Sequence, residues 1–445
     1  MRWKRPLIVI VVLLILVVIA GWVAMRDSGR ARLPLSAQMG PTPDIVPPAP
    51  PLVTTVNVAR VVGWKAGEMP TPAPGLKVNA FAAGLRHPRW ILPLANGDVL
   101  VAEAEAPARA DGHQSLKDRI ARLVMRSAGS GAAPSANRIT LLRDADGDGV
   151  AETRTVLLSG LNSPVGMAVV GDQLYVAEAD KLTRFPFHVG DTKIEAPGVK
   201  VTDLPGGPLN HHWVKNVIAS PDGAKLYVSV GSNSNVGENG MAAEQERAAI
   251  WEVDARTGQH RIFAYGLRNP NGMAWNPMTG DLWAVVNERD ELGSDIVPDY
   301  LTSVGLGDFF GWPCFYWGGY SDKRAPDCDP QQAQYVRRPD YALGAHTAAL
   351  GLSFSTGGKL GPRFAEGAFI GLHGSWNRRP KAGYQVVFVP FANGKPAGKP
   401  VPVLSDFLNA RGQARGRPVQ VAIDRTGALL VADDAGNHVW RVSAR

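Results

Sequence analysis

Two histidines stand side by side at 211 and 212, in "NHHWVKNVIASPDG" (210–223), just ahead of an apolar run and a Pro-Asp-Gly turn. Imidazole is the side chain whose charge ordinarily changes near neutrality, so either one could serve as a general base. Zinc is the weaker reading. The chain has nine histidines and no H-x-x-x-H spacing, and successive side chains on a strand diverge instead of converging on one ion. The same alternation predicts that His211 faces a pocket as the base and His212 faces away. A slip of one residue would exchange the two.

Other stretches add charge of both signs. "GLRNPNG" (266–272) carries Arg268 and Asn269, a guanidinium and an amide suited to an oxyanion, although an Asn-Pro turn beside a solvated arginine reads equally well. "NERDELGSD" (287–295) crowds Glu288, Asp290, Glu291 and Asp295 behind an apolar run, hard oxygen ligands that suit calcium or simply a solvated acidic loop. "DADGDGVAE" (144–152) matches a calcium loop at Asp144, Asp146, Asp148 and Gly149. Its twelfth position is Thr155 and its flanks read as strands, so it is a hairpin, with a structural ion or a plain Asp-Gly turn, and not an EF-hand. Arg378, Arg415 and Arg417 would match an anion with several carboxylates. No Gly-rich phosphate loop, dinucleotide fingerprint or G-x-S-x-G elbow is present, which disfavours nicotinamide and serine-hydrolase chemistry.

What must position these residues is a repeat. A Gly/Pro turn, a short apolar strand, a Gly turn and a second apolar strand recur from Gly84, Gly160, His211, Gly266, His346 and Gly416. Six such units predict six antiparallel sheets, and sheets arranged radially protect their edges by closing on themselves. The fold expected is all-β, a six-bladed β-propeller over 76–445, with the strand in "LKVNAFAAGL" (76–85) completing the blade that ends at "HVWRVSAR". No long helix is expected within the propeller, and the best candidate for a single short helical turn is "AAEQERAAIW" (242–251). The first loop of every repeat then lands on one face, bringing "RHPRW", "NSPVG", "NHHW", "RNPNG", "AHTAA" and "GRPVQ" around one central pocket.

The ends of the chain say where this happens. Net charge is +7, but residues 1–33 hold Arg2, Lys4, Arg5, Arg26, Arg30 and Arg32 against Asp27 alone, so the body is nearly neutral and no nucleic-acid surface is indicated. Pro6–Met25 is uncharged and long enough as a helix to cross a bilayer. Residues 1–25 are therefore expected to be an uncleaved signal-anchor, a single transmembrane helix with the bulk of the chain outside. Residues 26–75 read as a Pro-rich linker, since ten of the 35 prolines fall in 34–75. Cys314 and Cys328, in a Gly/Pro-rich excursion, are expected to form a disulfide in an oxidising compartment.

The motifs "NHHWVKNVIASPDGAKLYVSVGSNSN", "AYGLRNPNGMAWNP", "GDFFGWP" and "LHGSWNR", in that order, resemble the glucose/sorbosone dehydrogenase family of pyrroloquinoline-quinone (PQQ) enzymes. The membrane-anchored L-sorbosone dehydrogenase-like branch is the most similar. The resemblance implies PQQ in the central pocket, bridged to the protein by a calcium ion. It implies His211 as base with His212 as rival, and Arg268 and Asn269 on the quinone oxygens. It implies calcium on backbone carbonyls near Arg289 and Asp290, and PQQ carboxylates on Arg378 and on Arg415 or Arg417. The family's acidic residue before the base is Asn210 here. The activity implied is oxidation of an aldose or sugar aldehyde by hydride transfer to the quinone, with electrons passed on to a quinone or cytochrome. The place implied is the periplasmic face of a bacterial inner membrane. Two other readings stand beside it: a calcium-dependent lactonase-type hydrolase on the same fold, and a non-catalytic binding propeller.

Overall fold

The computed structural model describes residues 12–17, 21, 29–51, 54–107, 126–129 and 134–445. Six antiparallel sheets follow one another along the chain. Their inner strands are Pro88–Pro93, Met167–Val170, Lys215–Ala219, Asn269–Trp275, Ala349–Phe354 and Pro418–Ile423. Each inner strand touches the next, and the last touches the first, so the ring closes. The sixth blade takes its outer strand from the front of the chain: Leu76–Ala83 pairs antiparallel with His438–Ala444, from Leu76↔Ala444 to Ala83↔His438, with a bulge between Val439 and Trp440. The six-bladed propeller and its closure by 76–85 are as the repeat predicts. The short turn expected in 242–251 is a 3-10 helix at Met241–Glu244, after which Ala249–Asp254 is a strand.

Small residues let the inner strands crowd the axis. A Cβ on Gly272 would sit 2.6 Å from the Leu350 carbonyl oxygen, and one on Gly351 would overlap the Val419 carbonyl. Farther out, alternate side chains of neighbouring sheets interlock, as where Trp440, Phe369 and Phe388 pack between the fifth and sixth blades.

The described part of the expected linker is extended apart from a 3-10 turn at Leu35–Gln38, and it does not stand away from the propeller. Met39–Gly40 adds a strand to the outer edge of the fourth blade, and Thr71–Pro72 adds one to the fifth. Between them, Asn57 bonds the backbone of Trp376 and Arg378, and Trp64 packs edge-on against Trp440 and Phe407. Backbone pairing with exposed sheet edges, which composition does not reveal, draws the proline-rich chain down. The expected anchor at 1–25 lies outside the described residues except for Val12–Val17, which is helical, and Gly21. No helix among the described residues is long and apolar enough to cross a membrane.

The expected disulfide is present. Cys314 and Cys328, with Cα atoms 5.5 Å apart, tie the excursion between the third and fourth strands of the fourth blade.

Candidate active site

The loops entering the third and fourth blades, with the loop after the fourth blade's second strand, bring His212, Arg268, Asn269 and Asp290 together. His212 precedes the inner strand of the third blade, and its Nδ1 lies 2.8 Å from the carbonyl oxygen of Ser232 and 3.0 Å from the Ser232 hydroxyl. Burial, reinforced by the Arg268 charge, holds this imidazole well below the usual histidine pKa. Arg268 is fixed on every side. Its guanidinium donates to the carbonyls of Glu288 (2.7 Å) and Asn235 (3.3 Å) and to the Asn235 side chain (3.0 Å), and it pairs with Asp290 at 3.2 Å. Asn269, the next residue, keeps a buried Oδ1 without a partner.

Asp290 joins this group to the fifth blade. Its Oδ1 accepts from Asn377 Nδ2 at 2.8 Å and lies 3.3 Å from His346 Nδ1. Burial alone would raise its pKa, but His346, Arg268 and Asn377 outweigh that and bring it down to about 2. The converse holds for His346, which burial would lower and which Asp290 and the Gly293 carbonyl raise. The two ring nitrogens of His346 face acceptors, the Asp290 carboxylate and the Gly293 carbonyl, an arrangement that favours the imidazolium form beside Arg268.

A second polar group comes from the first, fifth and sixth blades. Asp434 meets His373 Nε2 at 2.9 Å, His87 Nε2 at 3.4 Å and the Arg89 guanidinium. His87 also lies 3.2 Å from Glu105. Burial pushes His373 down to about 4 and lowers His87. Burial would raise Asp434, yet the two histidines and Arg89 around it hold it well below the carboxylate range. Arg89 lies over the Trp213 ring, 5.7 Å from its centre, so the first blade reaches the residue next to His212.

Among the described residues, nine buried side-chain polar atoms have no hydrogen-bond partner. Five of them belong to this ring: Arg89 Nε, Ser163 Oγ, Asn269 Oδ1, Asn377 Oδ1 and Gln420 Oε1. Buried polar groups are almost always satisfied, so their concentration at the axis marks where a polar ligand completes the bonding. A groove of about 500 Å³ between the outer strands of the first two blades gathers none of these residues.

Several expected site residues are placed differently. The histidines are reversed: His211 is exposed in a turn, and His212 turns in toward Arg268. Arg415 is on the outer side, 3.6 Å from Glu68 and over Trp64. Arg378 is buried, but its Nε and Nη1 are spent on the carbonyls of Ser294 (3.1 Å) and Pro380 (2.7 Å). Arg417 does enter the ring, bonded to the carbonyls of His373 (3.1 Å) and Gly374 (2.7 Å). Arg289 points away from the axis to the carbonyls of Pro313 and Phe315, both at 2.6 Å.

Asp290 does not suit a cation in this setting. Its carboxylate meets Arg268, His346 and Asn377, and its carbonyl accepts from Arg324 (2.9 Å) and Asn235 (3.2 Å). Asp144, Asp146 and Asp148 do converge, joined by Glu152, with ligand atoms within 4.8 Å of one another on an outer hairpin of the first blade. Their oxygens already accept the turn's own amides. His87, Arg89, His346, His373, Asn377 and Asp434 were not singled out from sequence, although "RHPRW", "AHTAA" and "LHGSWNR" carried most of them into the ring.

The TrAA12-like family model matches residues 130–299 and 315–445. Aldose sugar dehydrogenase YliI of Escherichia coli is 30% identical over 186 residues, 41% of this chain and 44% of that protein. The pyrroloquinoline quinone-dependent pyranose dehydrogenase of Coprinopsis cinerea is 27% identical over 229 residues, 40% of this chain and 30% of that one. An uncharacterised protein of Borreliella burgdorferi is 26% identical over 296 residues, 63% of this chain and 76% of that one. Among solved structures, the holo PQQ domain of the Coprinopsis cinerea pyranose dehydrogenase superposes with a TM-score of 0.68 at 19% identity, covering 87% of this chain and 100% of that one. An iodide structure of Trichoderma reesei Carbohydrate-Active Enzymes Family AA12 gives 0.68 at 18% identity, covering 88% and 100%. At that identity the superpositions establish the fold.

Proposed function

Because the chain belongs to the TrAA12-like family, within the PQQ-dependent glucose dehydrogenase-like proteins, we propose that it is a PQQ-dependent sugar dehydrogenase with His212 as its base. The observation that carries this is the bond from His212 to Ser232. A backbone carbonyl only accepts, so Nδ1 carries the proton and Nε2 the lone pair. Held neutral by burial, that nitrogen can take a proton at neutral pH.

The residues present fit PQQ, a planar group with carboxylates and quinone oxygens. The unpartnered Arg89 Nε is a buried donor awaiting an acceptor, and Arg268 adds a fixed positive charge. When bound, PQQ supplies a two-electron acceptor for the hydride. His212 takes the hydroxyl proton of an aldose or of a sugar-aldehyde hydrate. Arg268, immobilised by Glu288, Asn235 and Asp290, presents fixed positive charge where negative charge develops, at no cost of reorganisation. The Asn269 amide beside it orients the same end of the site.

Calcium enters no step. The donors crowding Asp290 leave a cation no place there, which also weighs against a lactonase that uses an axial ion as Lewis acid. The four carboxylates of the 144–152 hairpin are where calcium would find oxygen ligands, as a structural ion. For location, we propose that 1–25 anchors the chain in a bacterial inner membrane with the propeller periplasmic, passing electrons to a membrane quinone or a cytochrome. Sorbosone-like aldehydes are the substrates to try beside aldoses.

The test is reconstitution. Purified apo-protein given PQQ should reduce an artificial electron acceptor when an aldose is added. Failure to bind PQQ, followed by fluorescence, would remove the reading.

A further inference from the structure

The loop that presents His212 is long. It leaves Asp203 at the outer edge of the second blade and ends at Lys215, the first residue of the third blade's inner strand. A connection of this kind has no ladder to shape it, so side chains must do so.

One side chain does most of this. Lys215 is fully buried, and all three of its acceptors lie in the loop just behind it: the carbonyls of His212 (3.0 Å) and Trp213 (3.3 Å) and the side-chain oxygen of Asn210 (3.5 Å). Asn210 is braced in turn. Its oxygen accepts from Arg247 at 3.0 Å and its amide donates to the Ala179 carbonyl at 3.2 Å. Arg247 also holds the Gly206 carbonyl at 2.8 Å, earlier in the same loop. Burial, with Arg247 opposing and Asp180 favouring the charged form, leaves the Lys215 amine well below the usual lysine pKa. Proton abstraction by His212 makes no use of this amine, and an apolar residue would satisfy burial alone.

We propose that Lys215 is a positioning residue that fixes the backbone of His212, so that the imidazole is held at both ends. Ser232 grips the ring at Nδ1, and Lys215 grips the main chain at the carbonyl of the same residue. A side chain tied only at its ring could still swing with its loop; one tied at both ends keeps Nε2 aimed. The inference rests on His212 being the base. The charged and titratable groups facing His212 are Arg268 and Asp290 of the fourth blade and its neighbour His211, and those facing Lys215 are Arg247 and Asp180.

The test compares Lys215→Met, which keeps the length and loses the donors, with the parent protein. A loosened loop should lower kcat by about tenfold to a hundredfold, as misplacement of a reacting group does, while KM and the PQQ dissociation constant stay put. In apo-protein labelled in its histidine rings, the His212 resonance, assigned with His212→Gln, should titrate closer to about 6.5 once water reaches the loop. Unchanged kcat and an unchanged His212 titration in folded Lys215→Met overturn the proposal. If that variant does not fold, Asn210→Ala, which removes the shared acceptor, decides by the same two readouts. Should His212→Ala keep full turnover, the base assignment falls, and the ring titration alone judges Lys215.

Discussion

The Nδ1 of His212 and the carbonyl oxygen of Ser232 meet at 2.8 Å, and the Ser232 hydroxyl, 3.0 Å from the same nitrogen, spends its own proton on the Ser234 carbonyl at 2.6 Å. Both atoms facing Nδ1 are therefore acceptors. One contact fixes the tautomer, aims the other nitrogen and makes the imidazole a base without a carboxylate partner.

Turnover should follow from that contact. His212→Ala should lose about 10²- to 10⁴-fold in kcat, the usual contribution of a positioned base, with PQQ still bound. His211→Ala, at an exposed turn position, should change it little. Steady-state kinetics of the two variants side by side check this, and the reverse ranking would return the role to His211.

Acid pH should act on both activity and stability. His212, His87 and His373 all have pKa values depressed by burial, His373 to about 4. A depressed histidine adds stability that is complete above the unfolded value of about 6.5 and is lost as pH falls toward the folded value. Between about pH 6.5 and 4 these three histidines bind more protons unfolded than folded and so lower the free energy of unfolding as pH falls. Asp299, raised to about 6 by burial, and His346, Glu244 and Asp433, also raised, act in the opposite sense. Asp290, lowered to about 2, and Asp434 extend the loss below the unfolded aspartate value of about 3.9. The acid limb of kcat/KM should likewise lie below 6.5. Urea unfolding at stepped pH isolates the histidine contribution when the parent is compared with His373→Gln, and a parent whose stability falls no more steeply than the variant's from about pH 7 to 4 would contradict it.

The propeller was legible because its signal is local and repeated: turn, strand, Gly turn, strand, six times over. The ring loops came with it, since inner strands start at matching points of each repeat. Residue facing was not legible where the residue sits outside a ladder. Arg415 and Arg417 are two apart and would share a face on a strand, yet only Arg417 enters the ring, because the strand begins at Pro418. The same limit reversed His211 and His212, which precede the strand at Lys215. The Asp434 group joins three blades and has no signature in any one stretch. Nor do prolines at 34–75 announce that the segment pairs with two sheet edges.

Arg268 tests whether charge or geometry matters at the oxyanion position. Four acceptor atoms from Asn235, Glu288 and Asp290 hold its planar fork, and a lysine cannot engage them together. Arg268→Lys should therefore cost nearly as much turnover as Arg268→Ala, at least about a hundredfold, despite keeping the charge. The measurement is kcat at saturating PQQ for both variants. A lysine variant close to the parent would show that a point charge is enough.

Asp295 ties the front of the chain to the loop that carries Asp290. Its carboxylate accepts from the amides of Arg32 (2.8 Å) and Leu33 (3.1 Å) and from the Gln38 side chain (2.8 Å). Gln38 and Asp295 are both buried, so Asp295→Ala leaves donors unsatisfied where water reaches poorly, at about 1–3 kcal/mol for such a group. The segment around 30–40 should then detach more often, seen as faster amide exchange at Arg32 and Leu33 and earlier cleavage by protease. Gly293 and Ser294, beside the anchor, accept from His346 and Arg378 through their carbonyls and hold the inner side of the loop independently. Turnover should accordingly fall less than for His212→Ala, since the Asp290–His346 contact keeps its own support. Unchanged exchange at Arg32 and Leu33 in Asp295→Ala would mean that edge pairing at Met39–Gly40 alone holds the segment down.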